Sequence, residues 1–367
     1  MAFPRRVATL LQAHLGGRPT LLPGRCARLR VPASSQLYST YVDKRRYLET
    51  HPDEKSIENP YNVGATFLAT SHTPSSNTCR AFPRPTDHVR ERIRTRHPAE
   101  LCLEYLPDPG TRPGDRQLHL TITEQLQVSE CENSQVVTAR PLAVQGQPLP
   151  FNVARDAVVA AKFYDPLYND HILIDAWKSV DYSYRNEAQA YQRLGPLQGV
   201  VVPRFYGSYT VDIPVPQSAL QHHHAQPRPV RLVLYEYING TQLSSAEARL
   251  FSTKQRQAIM QKVLHSFSKM RQLGVYHLDF HPGNIVVLSA EQGQEADIQC
   301  IDFGHSKISD PSYLMPTLDP ESRESVAEYW QDEDLCDCML DFSPLIDWPW
   351  NEWLENEYVG PKAGARL

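Results

Sequence analysis

The sequence of 367 residues predicts an α+β chain, a strand-rich stretch followed by a mainly helical one. Three observations carry that expectation. Apolar, strand-like runs gather between Leu118 and Tyr237. A capped amphipathic helix begins after Ser252. Beyond it, His277-Leu278-Asp279-Phe280-His281-Pro282-Gly283-Asn284 is followed, 18 residues after Asn284, by Asp302-Phe303-Gly304. That order places a carboxylate, an amide side chain and a second carboxylate on two neighbouring loops.

Taken in order, residues 1–42 hold six arginines and no Asp or Glu, and Val7, Leu10, Leu11 and Leu15 fall at helical spacing opposite Arg5. This acid-free, arginine-rich composition is that of a mitochondrial presequence; the other reading is a solvated basic tail on a cytoplasmic protein. Residues 43–115 are polar and proline-rich and read as linker, with one short helix after Pro85. Leu118 to Thr123 alternates apolar and polar residues, the period of a strand with one buried face. Val158 to Phe163 is a further apolar run that contains Lys162, and a lysine on such a strand needs an anion beside it. Tyr184 to Leu194 reads as a helix carrying Glu187, which is placed to pair with Lys162.

Val200 to Tyr209 and Val230 to Ile238 are two more strand candidates. Between them, His222-His223-His224 reads as a solvated loop, since adjacent histidines on a regular element cannot all face one metal. Ser252-Thr253-Lys254-Gln255 has capping-box spacing, Ile259, Val263, Phe267 and Met270 form an apolar stripe, and Gly274 is the stop. Residues 319–367 are acidic and carry Trp330, Trp348, Trp350 and Trp353; tryptophans are costly to leave wet, so part of this tail is expected to dock.

The H-x-D-x-x-x-x-N and D-F-G segments, with the strand bearing Lys162 and the helix bearing Glu187, resemble the protein-kinase-like superfamily over residues 118 to about 310. The resemblance implies a bilobal fold. An antiparallel five-stranded small lobe would occupy 116–238, and a minimal, mainly helical large lobe would occupy 239–318, with 63 residues after Gly304. It also implies ATP and Mg²⁺ as cofactors and transfer of the γ-phosphoryl to a hydroxyl, on a protein Ser/Thr or a small molecule. Asp279 would orient that hydroxyl and accept its proton. Asn284 and Asp302 would hold Mg²⁺, and Lys162 with Glu187 would pair with the phosphates. Leu234 to Gly240 resembles the hinge, where the Glu236 carbonyl and Ile238 amide would read the adenine edge, and Gln242 falls where ribose is often bound.

The catalytic loop is similar to the aminoglycoside-phosphotransferase and small atypical-kinase branch, because His281 stands where Ser/Thr kinases carry a lysine. Leu278 replaces the arginine that grips a phosphorylated activation loop in many protein kinases, so control of that kind is not expected. Three departures stand out: no G-x-G-x-x-G lies between Leu118 and Pro150, no A-P-E follows Gly304, and the 63 residues after Gly304 are few for a full large lobe. They keep a second reading open, a pseudokinase-type nucleotide-binding scaffold without turnover.

Composition narrows the classes. A hydrophobic content of 41% supports a core. The net charge of −5 gives no ground for nucleic-acid binding, so the expected partners are ATP and an unidentified hydroxyl acceptor. Seven scattered cysteines, including Cys336-Asp337-Cys338, suit a reducing compartment better than a disulfide framework. No apolar run approaches the ~20 residues that span a membrane.

Overall fold

A computed structural model describes residues 59–76, 86–110, 112–129, 134–144, 148–154, 156–169, 175–215, 217–220, 226–288, 296–309 and 341–359. The presequence reading of 1–42, the histidine run 222–224, Trp330 and Cys336-Asp337-Cys338 lie outside these residues.

Six strands close into a barrel: β1 (Thr66–Thr73), β2 (Arg112–Gln127), β3 (Gln135–Ala143), β4 (Val159–Tyr164), β5 (Phe205–Ile213) and β6 (Arg228–Glu236). Their order is β1-β2-β3-β4-β6-β5, and every neighbouring pair is antiparallel. The expected five-stranded sheet is thus corrected to a closed six-stranded one. The added strand, β1, falls in the stretch read as linker. Phe67 and Leu68 are adjacent and so point to opposite faces, and among the strand's residues Ala69 is the buried one. No apolar alternation marks it. β1 exists because a curled sheet left two edges, those of β2 and β5, that one segment could pair at once.

Alternation along the strands sorts their side chains between two cores. Val159, Ala161 and Phe163 of β4, with Leu118, Leu120, Leu232 and Leu234, fill the barrel. Ala160, Tyr164, Val233 and Tyr235 face outward into a second cluster shared with the helices. Lys162 lies in that outward register. At one end of the barrel Arg228 grips Asp165, with Nη2 to Oδ2 at 2.7 Å, and Tyr61 donates to the same carboxylate at 2.6 Å. All three side chains are buried.

Two helices, α1 (Asp87–Thr95) and α2 (Pro98–Glu104), also fall within 43–115. α3 (Ala176–Arg193) starts earlier than the sequence suggested, because Asp175 caps it by accepting from the Lys178 amide at 3.1 Å. α4 (Thr253–Gln272) has the full capping box of Ser252 and Gln255, and Gly274 follows it at φ +74°, the left-handed conformation that ends helices.

Short strands then carry the polar loops. β7 (Gly240–Gln242) pairs with β9 (Ile285–Leu288), which pairs with β10 (Ile298–Cys300), while β8 (Val275–His277) pairs with β11 (Ser306–Ile308). Residues 341–359, including α5 (Trp350–Leu354), pack on α4: Arg256 donates to the Leu345 carbonyl at 2.7 Å and Gln261 to Glu357 at 2.8 Å.

Candidate active site

Because Val159, Ala161 and Phe163 point into the barrel, Lys162 points out of it, toward α3 and the D-F-G segment. Its Nζ donates to Glu187 Oε2 at 2.6 Å and to Asp302 Oδ1 at 2.7 Å. Burial alone would lower the ammonium's pKa, but the Asp302 and Glu187 carboxylates outweigh it and hold the group well above its ordinary value. Desolvation raises the fully buried Glu187, with Lys162 opposing that shift. Burial also works to raise Asp302, yet its pair with Lys162 keeps it below the usual carboxylate range. One ammonium thus bridges two acids, and Asp302 remains ionised with its side chain 41% exposed.

Asp302 has φ +66°, the one positive φ at a non-glycine position among the described residues. Such backbone is strained and is found where a side chain must be aimed. The neighbourhood enforces it. Phe303 packs between Tyr191 at 5.3 Å and His277 at 4.9 Å, ring to ring. Asn186 of α3 donates to the Gly304 and Ser306 carbonyls at 3.3 and 3.0 Å.

The loop from His277 to Asn284 is bound to this segment through its backbone. Ile301 N–H donates to the Asn284 carbonyl at 2.9 Å, and the buried His277 ring donates from Nε2 to the Ile301 carbonyl at 2.9 Å. Asn284 turns its amide NH₂ toward Asp279, 2.9 Å from the carbonyl and 3.2 Å from Oδ2. Its side-chain oxygen is left as the atom a hard cation would use. His281 accepts from the Gly283 amide at Nδ1, so its proton sits on Nε2, 3.6 Å from Asp279 Oδ2. That imidazole, with help from His305 and His277 and against partial burial, lowers Asp279 to about 2.

Of the residues proposed from sequence, Lys162, Glu187 and Asp302 form one bonded cluster, and Asp279 and Asn284 form another, joined through Ile301 and His277. Gln242 donates to the Gly283 carbonyl beside Asn284. Glu236 ends β6 with its side chain paired to Arg204 at 2.9 Å, and Ile238 follows in the connection to β7. Among the described residues these two make no side-chain bond to Lys162, Asp279 or Asp302. Sequence reasoning missed Tyr164, whose hydroxyl donates to Glu187 Oε2, and Asn186. The first was recoverable: it stands two residues after Lys162, on the same face of the strand.

The oxygen atoms present suit a Mg²⁺–nucleotide. One carboxylate and one amide oxygen are few, but Mg²⁺ is commonly held by one or two protein oxygens and completes its shell with phosphate and water. Among the described residues no group of three or more His, Cys, Asp or Glu side chains could cage an ion without such help.

Residues 227–331 match the ABC1 atypical kinase-like domain, a stretch that runs from β6 past the D-F-G segment. A protein of Oryza sativa subsp. japonica described as a cyclin-dependent kinase F-2 is 30% identical over 94 residues, 23% of this chain and 27% of that protein. The chain therefore spans about a quarter of that relative's length. A solved structure of WaaP in complex with acyl carrier protein aligns over 65% of this chain and 88% of its own at 12% identity, with a TM-score of 0.33. From β6 through Asp302-Phe303-Gly304, the stretch that holds Asp279, Asn284 and Asp302, the chain is similar to the ABC1 atypical kinase-like domain.

Proposed function

We propose that this protein is an ATP- and Mg²⁺-dependent phosphotransferase acting on a hydroxyl, with the nucleotide in a cleft between the barrel and the helical segment of a bilobal fold. The observation that carries the reading is the bridge of Lys162 between Glu187 and Asp302. In this arrangement Glu187 anchors the ammonium, Lys162 pairs with the phosphates, and Asn284 and Asp302 would hold Mg²⁺. When bound, the metal neutralises charge on the phosphates. Asp279, held near pH 2, is a weak base at neutral pH. It therefore orients the acceptor O–H and takes its proton only as the new bond forms. Both a protein Ser/Thr and a small molecule remain within this reading.

The scaffold reading is favoured above all by a β2–β3 connection whose sequence lacks G-x-G-x-x-G. Nucleotide titration separates the two. Asp279→Asn and Asp302→Asn should both abolish turnover, whereas Asp302→Asn alone should weaken Mg²⁺-ATP binding, because only it removes a charged metal ligand. Equal nucleotide binding by both variants, with and without Mg²⁺, would favour the scaffold.

A further inference from the structure

We propose that Tyr164 is a positioning residue of this site, whose phenol pins the Glu187 carboxylate so that Glu187 keeps Lys162 aimed at the phosphates. The inference rests on the nucleotide-site reading above. Its basis is geometric. Glu187 Oε2 accepts from two donors on one strand, Lys162 Nζ at 2.6 Å and the Tyr164 hydroxyl, while Oε1 is buried and, among the described residues, has no hydrogen-bond partner. The grip of β4 on the Glu187 carboxylate therefore passes through one oxygen. A carboxylate held by the lysine alone would follow that lysine when it leaves Asp302 for a phosphate. A second donor, fixed two residues along β4, keeps the carboxylate where it is.

The tyrosine is itself held. Its ring stands edge-on to Tyr184 with centroids 5.6 Å apart, and the Tyr184 hydroxyl bonds His72 Nδ1 at 2.7 Å. Tyr184 lies one turn before Glu187 on α3, so it shares that helix face. His72 belongs to β1, the strand that completes the barrel. A continuous set of contacts thus runs from β1 through two tyrosines to the lysine–glutamate pair. None of the motif positions accounts for it.

A double-mutant cycle on the full chain tests this. The variants are Tyr164→Phe, Lys162→Met and the pair together, read by Mg²⁺-ATP titration alongside the nucleotide-free melting temperature. Tyr164→Phe keeps the ring and removes only the hydroxyl. It should weaken Mg²⁺-ATP binding by about tenfold, the usual loss for a hydrogen bond to a charged group. In the Lys162→Met background the same change should alter affinity less than about twofold, since no lysine is left to aim. The same cycle on Glu187→Gln repeats the test without touching the lysine. Unchanged affinity in Tyr164→Phe, or equal loss in both backgrounds, would overturn the proposal while leaving the nucleotide site standing. Absence of Mg²⁺-ATP binding by the wild-type chain would remove both.

Discussion

At the scale of the residue, the proposed chemistry turns on how two aspartates are held. Asp302 is aimed by a backbone that a β-branched residue could not adopt cheaply, and Asp279 by an imidazole that lowers it to about 2. The second contact has a pH signature. A carboxyl depressed in the folded protein is ionised down to that value and loses its stabilisation only as pH falls through it. His281→Gln should let the Asp279 pKa rise toward its ordinary range, so the acid limb of turnover should move to higher pH while the plateau near neutrality keeps its shape. A pH–rate profile of the two proteins is the check, and coincident acid limbs would show that His281 acts elsewhere. Asp279, Asn284 and Asp302 were legible in the sequence because their spacing is local. Asn186 was not, since its partners, the Gly304 and Ser306 carbonyls, come from a distant segment.

At the scale of the element, α4 was readable from end to end, because cap, apolar stripe and stop all sit within its own sequence. Ser252→Ala should cost about 1 kcal/mol in urea unfolding, through loss of the capping bond to Gln255 N–H. The barrel end behaves differently. Arg228 opens β6, Asp165 follows β4 and Tyr61 precedes β1, and nothing in any one stretch announces the other two. Arg228→Met would leave Asp165 buried with only the tyrosine and the Leu167 amide as donors, and no cation beside it. Removing one partner of a buried ion pair typically costs about 3–5 kcal/mol. Denaturant unfolding should show a loss of that size, and a loss under about 1 kcal/mol would mean that water enters the site.

At the scale of the whole molecule, two N-terminal deletions should part company. Removing residues 2–42 should leave Mg²⁺-ATP binding intact and, on the proposed targeting role, move a fluorescent fusion from mitochondria to the cytosol. A full-length fusion already diffuse in the cytosol, with its N-terminus intact by mass spectrometry, would leave only a basic tail. Removing residues 2–74 also takes β1 and His72, opens the barrel between β2 and β5, and should lower the melting temperature and nucleotide affinity together. Among the described residues no helix is long and apolar enough to cross a membrane. By itself, the sequence determined the mixed α/β class, the capped helix and the candidate set of Lys162, Glu187, Asp279, Asn284 and Asp302, because each signal is a short-range pattern of spacing or periodicity. The tertiary structure decided the sixth strand, the Arg228–Asp165–Tyr61 contact and the double hold on Glu187. These depend on pairings across the chain, where a strand with one buried residue or a tyrosine on an outward face gains its partner only when the barrel closes.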